Sequence, residues 1–247
     1  MSEKVLYIEL TPQEFQERLL EAPIAYLPLG TLEWHGRHLP LGADGLISSG
    51  FFIELAKKVG GIVLPMLFLG TDNSKIIEGE EYYGMDIESY PSQHPKKLLG
   101  SAYWIKRSLL KQILEEILKQ LKRAGFKIVI AHGHSPSTML FYQQSKRWKR
   151  DYGLELFTCW RNKESDGLGL QTDHAAANET SLVMALKPET VKIENLPNDM
   201  NKEPLGIMGK DPREFANADI GKKIINMQVE RMSKILRETL AQITSRD

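Results

Sequence analysis

The sequence predicts an α/β protein in which a mainly parallel central sheet lies between two layers of helices, a three-layer α/β/α sandwich. Two observations support this fold class. Short apolar runs typical of buried strands alternate along the chain with longer segments of helical periodicity, as expected when helices cover both faces of a parallel sheet. Glycines directly follow two of the helical segments, at the kind of position where helices commonly end.

Each predicted element has a local signal. Thr11 and Glu14 form a capping box with Pro12 at the first helical position, which marks the start of a helix. Gly60 ends the next helix, and Gly125 ends a long amphipathic helix whose apolar residues recur at helical spacing. We therefore expect helices at residues 11–22, 44–59, 103–124 and 217–243, and strands at residues 24–29, 62–66, 126–131 and 154–158.

One long stretch, residues 70–101, has weak periodicity and is rich in Gly, Pro and Tyr. A loop of this length inside a compact domain is usually functional. We expect an excursion from the sheet that serves the site.

Composition limits the partners. The 247 residues include 32 Lys and Arg and 32 Asp and Glu, so the formal net charge is +0. No overall basic field exists to hold nucleic acid or an anionic membrane, and we expect neither as a partner. The single cysteine, Cys159, excludes an internal disulfide and suits a reducing compartment, and no signal-like or membrane-spanning stretch is evident, so we expect a cytoplasmic protein.

The histidines give the sharpest functional signal, because all six lie in polar junctions that contain glycine or proline. Glu33 and His35 follow the first predicted strand, and Asp44 begins the next helix. A set of carboxylates and imidazoles without a thiolate suits Zn²⁺, Mn²⁺ or Fe²⁺, and an aspartate can bridge two such ions. The alternative is that Asp44 only caps the helix and His35 is a hydrogen-bonded loop residue.

Two further clusters add imidazoles. His132 and His134 follow the strand predicted at residues 126–131, either as metal ligands or as turn residues that bond backbone carbonyls. Asp173, His174 and Glu179 open a predicted helical stretch. Because ligands bind at the carboxyl ends of strands in open α/β sheets, we expect the histidines that follow strands to converge in one crevice.

The order of these motifs resembles the creatininase (creatinine amidohydrolase) family. Residues 27–44, which contain Glu-Trp-His-Gly-Arg-His-Leu-Pro and end in Asp44, resemble the family signature P-x-G-x-x-E-x-H-G-x-H-L-P-x-x-x-D. Later pieces agree in order: residues 131–134 resemble its V-N-G-H, residues 174–181 its H-A-G-x-x-E-T-S, and His94 with residues 99–101 its H-x-x-F-P-G-T.

The resemblance implies a single metallohydrolase domain over residues 1–247, a homo-oligomer that is often hexameric, and a two-metal site for hydrolysing a small amide. Glu33 and His134 would hold one ion, His35 the other, and Asp44 would bridge them. His174 would transfer the proton. The implied cofactors are Zn²⁺ or Mn²⁺, with Fe²⁺ as a further possibility, at one or two ions per subunit.

The chain departs from the family pattern at one expected ligand. Pro136 stands where creatininase has a Glu that completes the second metal site. Glu179 is the first replacement by sequence, and His132 is the other. Ser135 and Ala176 also replace glycines of the family pattern, which changes the expected shape of the substrate pocket.

We expect hydroxide activated by the metal to attack the amide carbon, and His174 to protonate the leaving nitrogen. Two alternatives stay open. The same fold could cleave a formamide or a bond in a modified peptide instead of a creatinine-like amide. A closed metal site without catalysis would instead indicate a binding or assembly protein.

Overall fold

The computed structural model of the chain describes residues 4–90, 93–159 and 168–245. Within these ranges the strands are β1 (Ile24–Leu29), β2 (Ile62–Val63), β3 (Ser74–Ile77), β4 (Glu80–Tyr83), β5 (Ile128–Gly133) and β6 (Glu155–Thr158). The α-helices are α1 (Pro12–Glu21), α2 (Ala43–Val59), α3 (Met85–Glu88), α4 (Arg107–Arg123), α5 (Ser135–Tyr152), α6 (Ala177–Leu186), α7 (Pro212–Phe215) and α8 (Ala218–Thr244).

The central sheet is parallel throughout and has the strand order β2-β1-β5-β6. Strands β1 and β5 form its centre and pair over their full length, from Ile24 opposite Ile128 to Leu29 opposite Gly133. Strands β3 and β4 form a separate antiparallel hairpin. The predicted parallel sheet is confirmed.

Alternation along β1 directs side chains to two separate cores. Ile24 and Tyr26 pack on one face with Phe51 and Phe52 of α2 and with Leu236 of α8. Since successive side chains of a strand point to opposite faces, the intervening residues pack on the other side.

The second core lies beneath α4 and α5. Ala25 and Leu27 of β1 pack there with Leu114 of α4 and with Phe141 and Trp148 of α5. Helices therefore cover both faces of the sheet, and the predicted three-layer sandwich is confirmed.

The start of α1 is confirmed by its capping motif, whereas β2 is shorter than predicted. The Thr11 hydroxyl accepts the Glu14 N–H and the Glu14 carboxylate accepts the Thr11 N–H, which is the predicted capping box. The strand predicted at residues 62–66 is shorter and ends at Val63. The chain continues only as an isolated bridge from Leu67 to Leu29.

The long excursion at residues 70–101 has structure of its own. It contains the β3–β4 hairpin and α3, with Gly84 N–H donating to the Asn73 carbonyl at 3.0 Å to close the base of the hairpin. The long helix begins at Arg107 rather than at residue 103. Among the described helices, none is long and apolar enough to cross a bilayer.

Candidate metal centre

The predicted site residues meet at the carboxyl edge of the sheet. Strands β1 and β5 end together, with Leu29 opposite Gly133. Glu33 and His35 follow β1 in a buried loop, and His134 directly follows β5. Ligand sites of open α/β sheets form at this edge, as the sequence predicts.

Helix N-termini supply the other ligands. Asp44 is the second residue of α2, and Glu179 lies in the first turn of α6. His174 precedes α6 and is held by a two-way backbone bridge to Met208, with N–H···O distances of 3.1 and 2.9 Å. The motifs that are far apart in sequence are thus brought together.

Gly133 allows β5 to end against β1. A Cβ at this position would lie 1.7 Å from the Leu29 carbonyl oxygen, and the residue has φ +145°. The next N–H, that of His134, donates to the same carbonyl at 2.7 Å. Only glycine fits this close approach, and it fixes where the His134 side chain starts.

Glu33, Asp44 and His134 form the first ligand group, with one ligand atom of each within 4.8 Å of the others. The Nδ1 atom of His134 lies 3.0 Å from Asp44 Oδ2 and 3.4 Å from Glu33 Oε2. All three residues are buried. Two carboxylates and one imidazole nitrogen thus converge on one small volume.

His35, Asp44 and Glu179 form the second group, so Asp44 belongs to both. The Nδ1 atom of His35 lies 3.0 Å from the Glu33 carbonyl, which can only accept, so Nδ1 carries the proton. The buried Nε2 therefore presents a lone pair, and it has no hydrogen-bond partner in the described part of the chain. The carboxylates of Asp44 and Glu179, each 3.7 Å away, are also acceptors when they are ionised.

A bound cation would interact favourably with all three of these acceptors. Neutral imidazole and ionised carboxylate are the ligating forms of these side chains, and the absence of thiolates suits Zn²⁺ or Mn²⁺. The buried lone pair of His35 Nε2 is costly to leave unpaired and is aimed at two carboxylates. The residues present therefore fit a metal.

Burial sets the ionisation of the carboxylates. It raises the pKa of Glu33 to about 8, although His134 nearby lowers it. Burial also raises the pKa of Glu179 well above its usual value, and Asp44 adds to the effect. Burial would raise the pKa of Asp44 as well, but the hydrogen bond from His134 and the proximity of His35 hold it below its usual value.

His174 lies beside both groups. Its ring centroid is 4.4 Å from that of His35, and it can form a third ligand group with His35 and Glu33. Its Nε2 donates to the Trp34 carbonyl at 3.0 Å, so in the neutral ring Nδ1 holds the lone pair. Burial, together with His35, lowers the pKa of His174 to about 3.

The two ligand groups open into a cavity of about 400 Å³. Glu33, Asp44, His134, His174 and Glu179 all line it. A cavity of this size admits a small molecule, and the ligand side chains form one wall.

The structure distinguishes between Glu179 and His132, the two candidates to replace the ligand that the family carries at the position of Pro136. Glu179 lies in the second group, whereas His132 belongs to none of the groups. His132 Nδ1 is 2.6 Å from the Ser48 hydroxyl, and its ring packs edge-on against Phe51 and Phe52. The expectation that all histidines after strands converge is wrong for His132, because it points into the α2 core.

Two other histidines also lie outside the ligand groups. His38 is buried, with Nε2 2.9 Å from the Thr180 hydroxyl of α6, where it holds the loop after β1 against that helix. His94 is exposed, with its ring edge-on to Tyr82 of the hairpin. His35, His134 and His174 are the histidines that the fold brings to the ligand groups, and of these His134 and His174 line the cavity.

Asp72 is a site residue that the sequence motifs did not identify. It lines the cavity, its side chain is 7% exposed, and its Oδ2 atom lies 3.2 Å from His134 Nε2. Its one signal in the sequence is its position in the stretch 70–101, which was predicted to serve the site. The stretch is too irregular for spacing to single out one acid.

Comparisons with known proteins agree with this geometry. The profile of the creatininase family, described as creatinine amidohydrolase, matches residues 8–236. A creatinine amidohydrolase of Pseudomonas putida is 24% identical over 216 residues, covering 79% of this chain and 77% of that protein.

Two solved structures share the fold. A manganese creatininase aligns with a TM-score of 0.70 at 21% identity, covering 96% of this chain and 98% of that chain. A mutant creatininase of Zn–Zn type aligns with a TM-score of 0.72 at 20% identity, covering 96% of this chain and 99% of that one.

The fold, the ligand groups and these matches define a metal-dependent amidohydrolase. The chain belongs to the creatininase (creatinine amidohydrolase) family, whose profile spans most of its length. The resemblance read from the motifs is confirmed.

Proposed function

We propose that this enzyme hydrolyses a C–N amide bond in a small, creatinine-like substrate at a site for two divalent cations, within a single domain over residues 1–247. The observation that carries the proposal is the buried Nε2 of His35, which has no hydrogen-bond partner among the described residues and faces two carboxylates. The buried ring nitrogens of His38 and His132 that also lack a partner form no ion pair with a described carboxylate, so the direction of the His35 lone pair is what distinguishes it.

Each ligand group would hold one ion. Glu33 and His134 would bind the first, His35 and Glu179 the second, and Asp44 would bridge them, as the shared membership of Asp44 supports. Glu179 would replace the carboxylate that the family carries at the position of Pro136. Zn²⁺ and Mn²⁺ are the ions that this donor set suits.

Divalent cations, when bound, supply Lewis acidity for the amide carbonyl and lower the pKa of water. The chain's own residues then handle the proton. His174 donates to the Trp34 carbonyl through Nε2, so Nδ1 is the atom that would relay a proton from water to the leaving nitrogen. Its lowered pKa makes the ring a weak base but makes its protonated form a strong acid toward that nitrogen. Such transfer typically contributes about 10²–10⁴-fold to the rate.

Glu179 would combine a ligand role with a positioning role. Its Oε1 faces His35, and its Oε2 accepts the N–H of Ala175, the residue that follows His174. The Glu179 carboxylate would thus contact both the second ion and the backbone next to His174. We assign Glu179 to the catalytic set on this basis.

A second substrate class is supported by the cavity wall. Ser135 and Pro136 line the cavity at positions where the family pattern has other residues. The wall that would contact the substrate therefore differs from the pattern, and a formamide or a bond in a modified peptide is the alternative substrate.

We also propose that the protein forms a homo-oligomer and lies in the cytoplasm. Leu99, Ile76 and Tyr103 are large apolar side chains that are 84%, 72% and 61% exposed, on or next to the excursion at residues 70–101. Burying them in a homo-oligomer would remove this apolar surface from water. The buried single thiol, Cys159, suits the reducing cytoplasm. Light scattering on the purified protein measures the oligomer.

The test joins metal analysis to a screen of small amides, including creatinine, on the wild type, Glu33→Gln and His174→Ala. We expect bound metal and turnover in the wild type, metal loss in Glu33→Gln, and retained metal with turnover reduced by about 10²–10⁴-fold in His174→Ala. Full turnover of metal-loaded His174→Ala would refute the proton-transfer role. Tightly bound metal without hydrolysis of any amide would favour a binding protein.

A further inference from the structure

The two ring nitrogens of His134 face carboxylates on opposite sides. Nδ1 faces the first ligand group, 3.0 Å from Asp44 Oδ2 and 3.4 Å from Glu33 Oε2. Nε2 lies 3.2 Å from Asp72 Oδ2. Asp72 belongs to neither of the two ligand groups that include Asp44, so its contact with the site runs through His134.

Asp72 is held in place by its own neighbours. Its Oδ1 accepts the N–H of Asn73 at 2.7 Å, which leaves Oδ2 facing His134. The backbone carbonyl of Asn73 in turn accepts the N–H of Gly84 across the base of the hairpin. The carboxylate is therefore oriented by the backbone of Asn73, which the hairpin base holds in place.

Gly84 leaves room for this arrangement. A Cβ at this position would lie 2.5 Å from Asp72 Oδ2 and 2.9 Å from Glu33 Oε1, and the residue has φ +44°. The hairpin base thus approaches two acidic side chains of the site more closely than any other residue would permit. The excursion brings a carboxylate to the side of His134 that faces away from Asp44.

The protonation of a ligating imidazole explains why a carboxylate belongs there. Such a ring binds through one nitrogen and carries a proton on the other. Nδ1 forms a hydrogen bond with Asp44 Oδ2 at 3.0 Å in this structure, which an ion held by Glu33 and Asp44 would replace. Nδ1 would then be the ligating atom and Nε2 would carry the proton. Nε2 is buried and makes no well-directed hydrogen bond among the described residues, so Asp72 is the acceptor within reach.

We propose that Asp72 is a positioning residue that accepts the Nε2 proton of His134 and so fixes the tautomer and orientation of this ligand. The inference rests on the proposed function, because it assumes that His134 binds an ion. Carboxylate partners of ligating histidines increase the basicity of the ring, and their loss typically lowers metal affinity by about 10–100-fold.

The primary test is a Zn²⁺ titration, in competition with a chromophoric chelator, of the wild type, Asp72→Ala, Asp72→Asn and Glu88→Gln. We expect Asp72→Ala to lose about 10–100-fold in affinity with unchanged stoichiometry. Asp72→Asn, whose amide oxygen still accepts a proton, should lose less. Glu88→Gln removes a carboxylate that lines the same cavity but is absent from the ion pairs that His134 forms with described residues, and this variant should bind zinc as the wild type does.

A spectroscopic readout separates positioning from general structure. Long-range ¹H–¹⁵N spectra of the zinc-loaded wild type should show His134 in the Nε2–H tautomer, with a ring proton protected from exchange. Asp72→Ala should lose that protection while circular dichroism stays unchanged. If Asp72→Ala does not fold, Asp72→Asn with the same spectra decides.

The outcomes are distinguishable. Wild-type protein that binds no zinc overturns the proposed function and the inference with it. Tight zinc binding that is indifferent to Asp72→Ala, or a loss in Asp72→Asn as large as in Asp72→Ala with the ring proton unchanged, overturns the inference alone.

Discussion

His35 donates its Nδ1–H to the backbone carbonyl of Glu33, two residues earlier in the chain, at 3.0 Å. Of the two ligand groups that share Asp44, one contains Glu33 and the other His35, so one hydrogen bond sets the spacing between these groups and aims the His35 lone pair at the second. The Glu-x-His spacing of the motif is therefore what places two adjacent cation sites on one loop.

Asp44→Asn is expected to lose both ions, because Asp44 is the residue common to the two main ligand groups. His35→Ala should lose only the second ion, since His35 is absent from the group of Glu33, Asp44 and His134. Metal content per chain, measured by mass spectrometry after gel filtration, gives the answer. Equal metal content in the two variants would contradict the bridging role of Asp44.

Glu179→Gln should lose the second ion and most of the activity, because a neutral amide is a poor replacement for the carboxylate that faces His35. His132→Gln is the matched control, since His132 bonds Ser48 and lies in no ligand group. It should keep the metal content of the wild type, with a stability loss of about 1–3 kcal/mol if the Ser48 hydroxyl loses its partner. Metal loss in His132→Gln alone would reverse the two assignments.

Gly133→Ala should destabilise the fold by more than about 4 kcal/mol, or prevent folding, because the added Cβ would overlap the Leu29 carbonyl. Gly79→Ala is the matched control. Gly79 also has a positive φ, +82°, but a Cβ there meets nothing within 4 Å, so the cost should be about 1–2 kcal/mol. Urea denaturation of both variants measures the difference, and similar losses would contradict the steric argument.

Cys159 should resist alkylation in the native protein. Burial raises the pKa of its thiol to about 12, so at pH 8 the reactive thiolate is scarce as well as inaccessible. Iodoacetamide at pH 8 should modify the protein quickly in urea and very slowly without it, as followed by mass spectrometry. Rapid modification of the folded protein would show that the thiol is exposed.

Much of the fold was predictable because local chemistry decides it. The capping box at Thr11 and the apolar run of β1 act within a few residues, and both predictions are confirmed. The hairpin at Ser74–Ile77 and Glu80–Tyr83 was not predicted, because its strands are mostly exposed and show no alternation of apolar and polar residues. The helix begins at Arg107 because Tyr103 has φ +68° and the Ile105 N–H donates to the Gly70 carbonyl at 2.9 Å, so the segment before Arg107 is not helical although Tyr103, Trp104 and Ile105 fit the apolar pattern.

The site was predictable to the extent that its motifs are local. The motif residues Glu33, His35 and Asp44 meet as their order suggested. The choice between Glu179 and His132 depended on the direction of a side chain on β5, which spacing alone did not settle. Asp72 acts through a hairpin whose position depends on tertiary packing, so no sequence pattern marked it.

The ligands of this centre span the chain from Glu33 to Glu179 and come from the segments that follow both central strands and from two helices. An unfolded chain does not hold such a set together, so cations that bind here bind the native state. At a free ion concentration about 100 times the dissociation constant, this linkage adds about 2.7 kcal/mol to the free energy of unfolding. Metal supply in the cell would then regulate how long each molecule survives heat and proteolysis, independently of whether substrate is present.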